Sequence, residues 1–98
     1  MTNAYRFRIY MENYWYDTYV RGLVLDFFGR HGCTILEGTG TYMDQFEDSM
    51  VLEFITRDAV EGERMAQRFS RDFCDWYEQE CTMITMDSVS MELCYGDA

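Results

Sequence analysis

The feature that most constrains this chain lies between Asp58 and Glu80, where one apolar stripe recurs at three- and four-residue spacing. Met65, Ala66, Phe69, Phe73, Trp76 and Tyr77 make the stripe, and Gly62 falls on it. That spacing predicts a helix over 58–80 with one buried face. Asp58, with Glu61 three positions on, is the expected N-cap and its reciprocal partner.

The other segments read as the layer this helix covers. Tyr5, Phe7, Ile9 and Met11 alternate with Arg6, Arg8 and Tyr10, the two-residue period of a half-buried strand. Asn13 is the expected N-cap of a first helix over 14–30, along which Tyr16, Tyr19, Val20, Leu23, Val24, Phe27 and Phe28 keep helical spacing until Gly32 stops it. Gly22 inside that helix costs ~1 kcal/mol relative to alanine, which implies close packing there. Residues 33–42 form a second strand with β-branched Thr34, Ile35, Thr39 and Thr41, and Gly38 and Gly40 imply a bulge or an edge position. A polar connection over 44–49 leads to a third strand over 50–56, with Met50, Leu52 and Phe54 on one face. In the tail, Thr82, Ile84 and Met86 keep one parity while Val89, Met91 and Leu93 take the other. That switch predicts a fourth strand with a bulge or break at Asp87 and Ser88.

Strand, helix, strand, strand, helix, strand is the split β-α-β order of the ferredoxin-like α+β class. Right-handed crossovers then give a four-stranded antiparallel sheet with both helices on one face and the first and third strands in the middle. Ninety-eight residues suffice for one such domain spanning 1–98 and leave no room for a second core.

Charge bears on function. The net charge is −10, every basic residue is arginine, and residues 1–43 hold four acids against four arginines, so the whole imbalance sits in 44–98. Such a field repels phosphate backbones and favours basic partners, so a protein with a basic surface is the expected partner and nucleic acid is not a direct ligand. No stretch reads as a signal peptide or a bilayer span, and no membrane partner is expected. Cys33, Cys74, Cys81 and Cys94 form no CxxC pair and, with one histidine, no zinc pattern. They read as reduced, mostly buried thiols of a cytoplasmic protein. Gly38-Thr39-Gly40 lacks the lysine and following helix of a phosphate loop. His31 sits at a helix end, where a cation suits the dipole. No nucleophile, acid-base or metal constellation stands out, so neither catalysis nor a cofactor is expected.

In the ferredoxin-like order three connections meet at one end of the sheet. The turn into the first helix carries Tyr14, Trp15 and Tyr16, the loop between the second and third strands carries Asp44, Glu47 and Asp48, and the turn out of the second helix carries Glu78 and Glu80. Aromatic anchors beside unpaired carboxylates are the composition of a protein-binding patch. These eight residues are the candidate partner-binding site. On the second helix, Arg64, Arg68 and Arg71 lie beside Glu61, Asp72 and Asp75 and read as a self-neutralising face.

Three segments, Arg8-Ile9-Tyr10, 32–38 (GCTILEG) and 83–89 (MITMDSV), resemble the PII-like family of small trimeric sensors, which are themselves ferredoxin-like. The resemblance implies nucleotide or other small-molecule binding between subunits, through a long loop after the second strand. Here that loop is short and acidic. In its small size, acidity and richness in aromatics and methionine the chain also resembles the accessory proteins that phages direct against host machinery. The first expectation is therefore a non-enzymatic protein that docks on a basic partner, of the kind that normally grips nucleic acid, and inhibits or modulates it. The alternatives are a PII-like sensing domain and a structural subunit that pairs with copies of itself through its edge strands.

Overall fold

Period-two alternation in the strands and a 3.6-residue stripe on the helices leave one consistent way to bury apolar surface. The computed structural model, which describes residues 1–97, adopts it. The elements are β1 (Thr2–Glu12), α1 (Thr18–Phe28), β2 (Thr34–Tyr42), β3 (Gln45–Thr56), α2 (Ala59–Tyr77) and β4 (Met83–Met91). The sheet order is β2-β3-β1-β4, antiparallel throughout, so the architecture is ferredoxin-like α+β. Phe7, Ile9 and Met11 of β1 and Met50, Leu52 and Phe54 of β3 share one cluster with Val20, Leu23, Val24 and Phe28 of α1 and Ala66, Phe69 and Phe73 of α2. The strand contributors all have one parity, so both helices cover the same face of the sheet.

Several local expectations are corrected. α1 begins at Thr18, not at 14, because Asp17 is its cap and accepts the Tyr19 N–H. Asn13 instead accepts the Trp15 N–H and closes a turn ahead of the helix. No neighbour lies within 4 Å of where a Gly22 side chain would start, so that glycine marks open space and not close packing. Asp58 caps α2 through the Val60 and Glu61 N–H groups. The reciprocal half of the cap is missing, since the Glu61 carboxylate pairs with Arg64 and the Asp58 N–H goes to Thr56. Trp76 leaves the buried stripe and is 59% exposed.

The strands differ from expectation as well. β3 starts at Gln45, so most of the expected polar connection is strand, and β2 turns into it through Met43 and Asp44 alone, both at positive φ. Two such residues make the turn whose twist matches a hairpin. β2 is an edge strand, in unbroken register from Thr34↔Glu53 to Tyr42↔Gln45, without a bulge. β4 is unbroken too, pairing with β1 from Tyr10↔Met83 to Thr2↔Met91. Its change of parity means that Ile84 and Met86 share the face of Ile9 and Phe7, whereas Val89 lies opposite Ala4 on the other face. Cys33 and Cys74 are half-buried, but Cys81 and Cys94 are exposed, and all four are free thiols. Among the described residues no helix is long and apolar enough to cross a membrane.

Candidate functional site

The β2–β3 hairpin outruns the core. From Thr41 to Asp48 every residue is exposed, and the molecule measures 45 × 27 × 27 Å. The distal half of the hairpin is therefore an arm with solvent on both sides. Its tip shows Tyr42, Met43 and Phe46 at 63, 77 and 83% exposure, beside Asp44 and Glu47. Burying such side chains is favourable at ~25 cal/mol per Å², and Phe46 is the one phenylalanine among the described residues that is left exposed. Tyr42, Met43 and Phe46 did not stand out in the sequence. The turn lacks an Asn-Gly signature, and Gln45-Phe46-Glu47-Asp48 has few strand-forming residues.

At the base of the arm, the Asn13 N–H donates to the Asp48 carbonyl (3.1 Å) and Asn13 Nδ2 to Glu37 Oε1 (2.9 Å). These bonds tie the exit of β1 to the hairpin and bring Asp48 beside the 12–17 turn. Asp44 sits four residues further along, roughly 13 Å at the strand rise.

The turn's aromatics are engaged differently. Tyr14 stacks on Tyr77 with ring centres 4.0 Å apart and meets Phe73 edge-on, so its ring staples α2 to the β1 exit. Tyr19 stacks on Trp76 at 3.9 Å, and together these rings zip the start of α1 to the end of α2. Trp15 is half-buried against the core, whereas Tyr16 is exposed.

α2 ends in a left-handed cap at Glu78, whose N–H returns to the Cys74 carbonyl. Glu80 then lines a shallow groove with Arg71, Thr82 and Ile84 on the β4 side. The structure thus joins Tyr14, Trp15 and Asp48 around the β1 exit and carries Asp44 and Glu47 outward on the arm. Glu80 lies on the side of the sheet opposite β2. Among the described residues, Asp44, Glu47, Asp48, Glu78 and Glu80 make no ion pair. The pairs that form are Arg6–Asp87, Arg8–Glu53 and Arg64–Glu61. No three His, Cys, Asp or Glu among the described residues converge on a metal-sized site.

Tyr77 Oη donates to Asp17 Oδ2 at 2.9 Å. Burial, with help from that hydrogen bond to a carboxylate, pushes the hydroxyl well above its ordinary value, and burial with Glu12 nearby raises Tyr14. The unfolded chain ionises these phenols near pH ~10, while the folded chain keeps their protons longer. Their stabilising contribution is complete below that pH and is lost as pH rises above it toward the folded values. Chemical denaturation between pH ~9 and ~11.5, a range that brackets the ordinary phenol value, is expected to show falling stability, with a shallower fall in Tyr77→Phe. Equal slopes would rule out Tyr77 as a source.

No protein-family model and no curated protein sequence matches the chain. Solved structures share its fold. A phage SAM lyase in complex with S-methyl-5′-thioadenosine superposes with a TM-score of 0.66 at 13% identity, over 94% of this chain and 93% of the lyase. CPII, a nitrogen regulatory PII-like protein from Thiomonas intermedia K12 bound to ADP, AMP and bicarbonate, gives 0.59 at 14% identity over 96% and 98%. A putative PII-like signalling protein from Thermus thermophilus gives 0.52 at 18% identity over 90% and 87%. The PII-like resemblance seen in three short segments therefore extends to the fold of the whole chain.

Proposed function

We propose that this chain is a non-enzymatic, acidic interaction protein that docks its β2–β3 arm on a basic surface of a partner protein and so inhibits or modulates that partner. One observation carries the reading: Tyr42, Met43 and Phe46 stand exposed on a projection beside Asp44, Glu47 and Asp48, none of which pairs with a cation among the described residues. Apolar anchors bury surface, and flanking carboxylates steer and select the partner. A basic surface that ordinarily grips nucleic acid fits this chemistry, as does an origin among phage proteins that act on host machinery. Tyr16, whose ring centre is 6.1 Å from that of Tyr14, and Glu78, next to Tyr77, lie near the β1 exit, and Trp15 packs against the core there.

The test is capture of a partner from cell extract at low and high salt, by the native chain and by a variant with Asp44, Glu47 and Asp48 changed to lysine. Capture is expected to fall at least about tenfold in the variant and to weaken with salt. Capture that is indifferent to both changes would remove the reading.

A second reading rests on the fold neighbours. CPII and the phage lyase both hold adenosine-bearing ligands, which favours an adenine-nucleotide-sensing domain that works as an oligomer. Calorimetry with ADP, AMP and S-methyl-5′-thioadenosine, alongside light scattering, separates the two. An oligomer that takes up one of these ligands supports the sensor, and a chain indifferent to all three supports the docking protein.

A further inference from the structure

We infer that the partner segment recognised by this chain is an extended strand, apolar at alternate positions and basic at one end, which adds to the sheet along the outer edge of β2. This inference rests on the docking reading above and specifies its mode. β2 is hydrogen-bonded to β3 on one side only, so its other side offers a row of main-chain donors and acceptors over nine residues. Edge strands are normally blunted by lysine, proline, bulges or short length, and β2 has none of these. Its one charged residue, Glu37, is held by the Asn13 amide.

Main-chain pairing alone selects nothing. Specificity in strand addition comes from pockets that take every second side chain, and β2 borders one. Trp15, Val24, Leu25, Phe28, Cys33 and Ile35 line an apolar groove of about 410 Å³ between α1 and β2. On its rim Leu25 is 69% exposed. An added strand would direct alternate side chains into this groove and the others toward Leu36 on the opposite face. Further along β2 the strand would run beside the arm, with Asp44 at the turn and Glu47 and Asp48 one strand further in, opposite Gly40 and Thr39, so that only the long side chains of lysine or arginine would reach these carboxylates across β2. A second copy of this chain fits worse, because it brings its own Glu37 and arm carboxylates, and a net charge of −10, to the same edge. The other outer strand, β4, spends Asp87 on Arg6, and the groove beside it mixes Gln67, Ser70, Arg71, Glu80 and Thr82 with Cys74 and Ile84.

The test uses the full chain and a displayed library of random twelve-residue peptides, followed by titration of an enriched peptide onto isotopically labelled protein. Enriched sequences are expected to alternate apolar and polar residues and to end in arginine or lysine. Bound peptide is expected to slow amide exchange in β2 but not in β4, and Leu25→Arg, a change at an exposed helix position, to weaken binding about tenfold. Peptides methylated on alternate backbone nitrogens supply a readout independent of protein variants. One methylation register should lose binding about tenfold and the other keep it.

Enrichment of helical spacing or of acidic peptides, protection on β4, or indifference to both methylation registers would overturn the inference. So would a dimer in which β2 is protected without peptide. If the arm reversals abolish partner capture while Leu25→Arg and methylation change nothing, docking stands and strand addition falls. If the arm reversals also change nothing, both fall.

Discussion

Changing Phe69 to alanine is expected to cost about 3–5 kcal/mol, the range for emptying a buried phenylalanine site. Phe69 is fully buried and meets Phe27 and Phe28 edge-on, with ring centres 6.0 and 5.6 Å away, while Phe73 lies 6.2 Å along the helix. It therefore touches α1 and its own helix at once, and the cavity left behind would have rigid ring walls on several sides. Such walls relax poorly, which places the cost at the upper end of the range. With total stability of order 5–15 kcal/mol for a domain, the variant should lose a third or more of it. At about 4–8 °C per kcal/mol its melting point should fall by well over ten degrees. Trp76→Ala is the control. That ring is larger and stacks on Tyr19, but it is 59% exposed, so most of its surface never left water. Urea melts of the two variants decide the matter, and a Trp76 loss equal to the Phe69 loss would contradict the core assignment.

Changing Gly62 to alanine is expected to destabilise the fold by about 1–3 kcal/mol, although alanine gains ~1 kcal/mol in helix propensity. Sterics set the sign. A methyl group at Gly62 would overlap the Phe7 ring and sit 2.6 Å from Thr56 Cγ2. Phe7 cannot retreat easily, because it stacks on Phe54 at 5.2 Å and is itself buried. Shrinking the obstacle should recover part of the loss, so Gly62→Ala and Phe7→Leu together should cost less than the sum of the two changes. A stabilised Gly62→Ala protein, or strict additivity with Phe7→Leu, would show that α2 does not press on β1 at this point.

Most of the fold class could be read from the chain because two periodicities, 2 in the strands and 3.6 on the helices, each bury one face. Met50, Leu52 and Phe54, and Phe69 and Phe73, are buried as their spacing requires. The chain is uninformative where burial does not dictate the pattern. Residues 45–49 extend β3 with no core beneath most of them, so no alternation marks them as strand. Tyr16 and Tyr19 carry helical spacing across a turn, which hid the true cap at Asp17 behind Asn13. In β4 the apolar residues change faces along an unbroken strand, Ile84 and Met86 lying with Ile9 and Phe7 and Val89 opposite Ala4 on the other side. A one-faced reading can express this only as a bulge.

The meeting of the β1 exit and the hairpin at one end was legible, since connectivity alone brings them together. The detail of the candidate site was not. Which aromatics are spent inside the fold depends on the pairing of Tyr14 with Tyr77 and of Tyr19 with Trp76, contacts 63 and 57 residues apart in the chain. No local pattern announces contacts so distant in sequence.

The turn at Met43 and Asp44 has a thermodynamic consequence. Left-handed backbone costs a non-glycine residue roughly 1–2 kcal/mol, and the surrounding arm has no packed interior to offset it. Local opening free energy is lowest where apolar contacts are fewest, so the hairpin tip should open well before the body of the domain. Whatever clasps it must also hold it shut, and part of the intrinsic affinity is consumed in doing so. If the arm docks on a partner as proposed, affinity is coupled to the rigidity of two residues at the apex, and preorganising that apex would tighten binding without adding a single intermolecular contact.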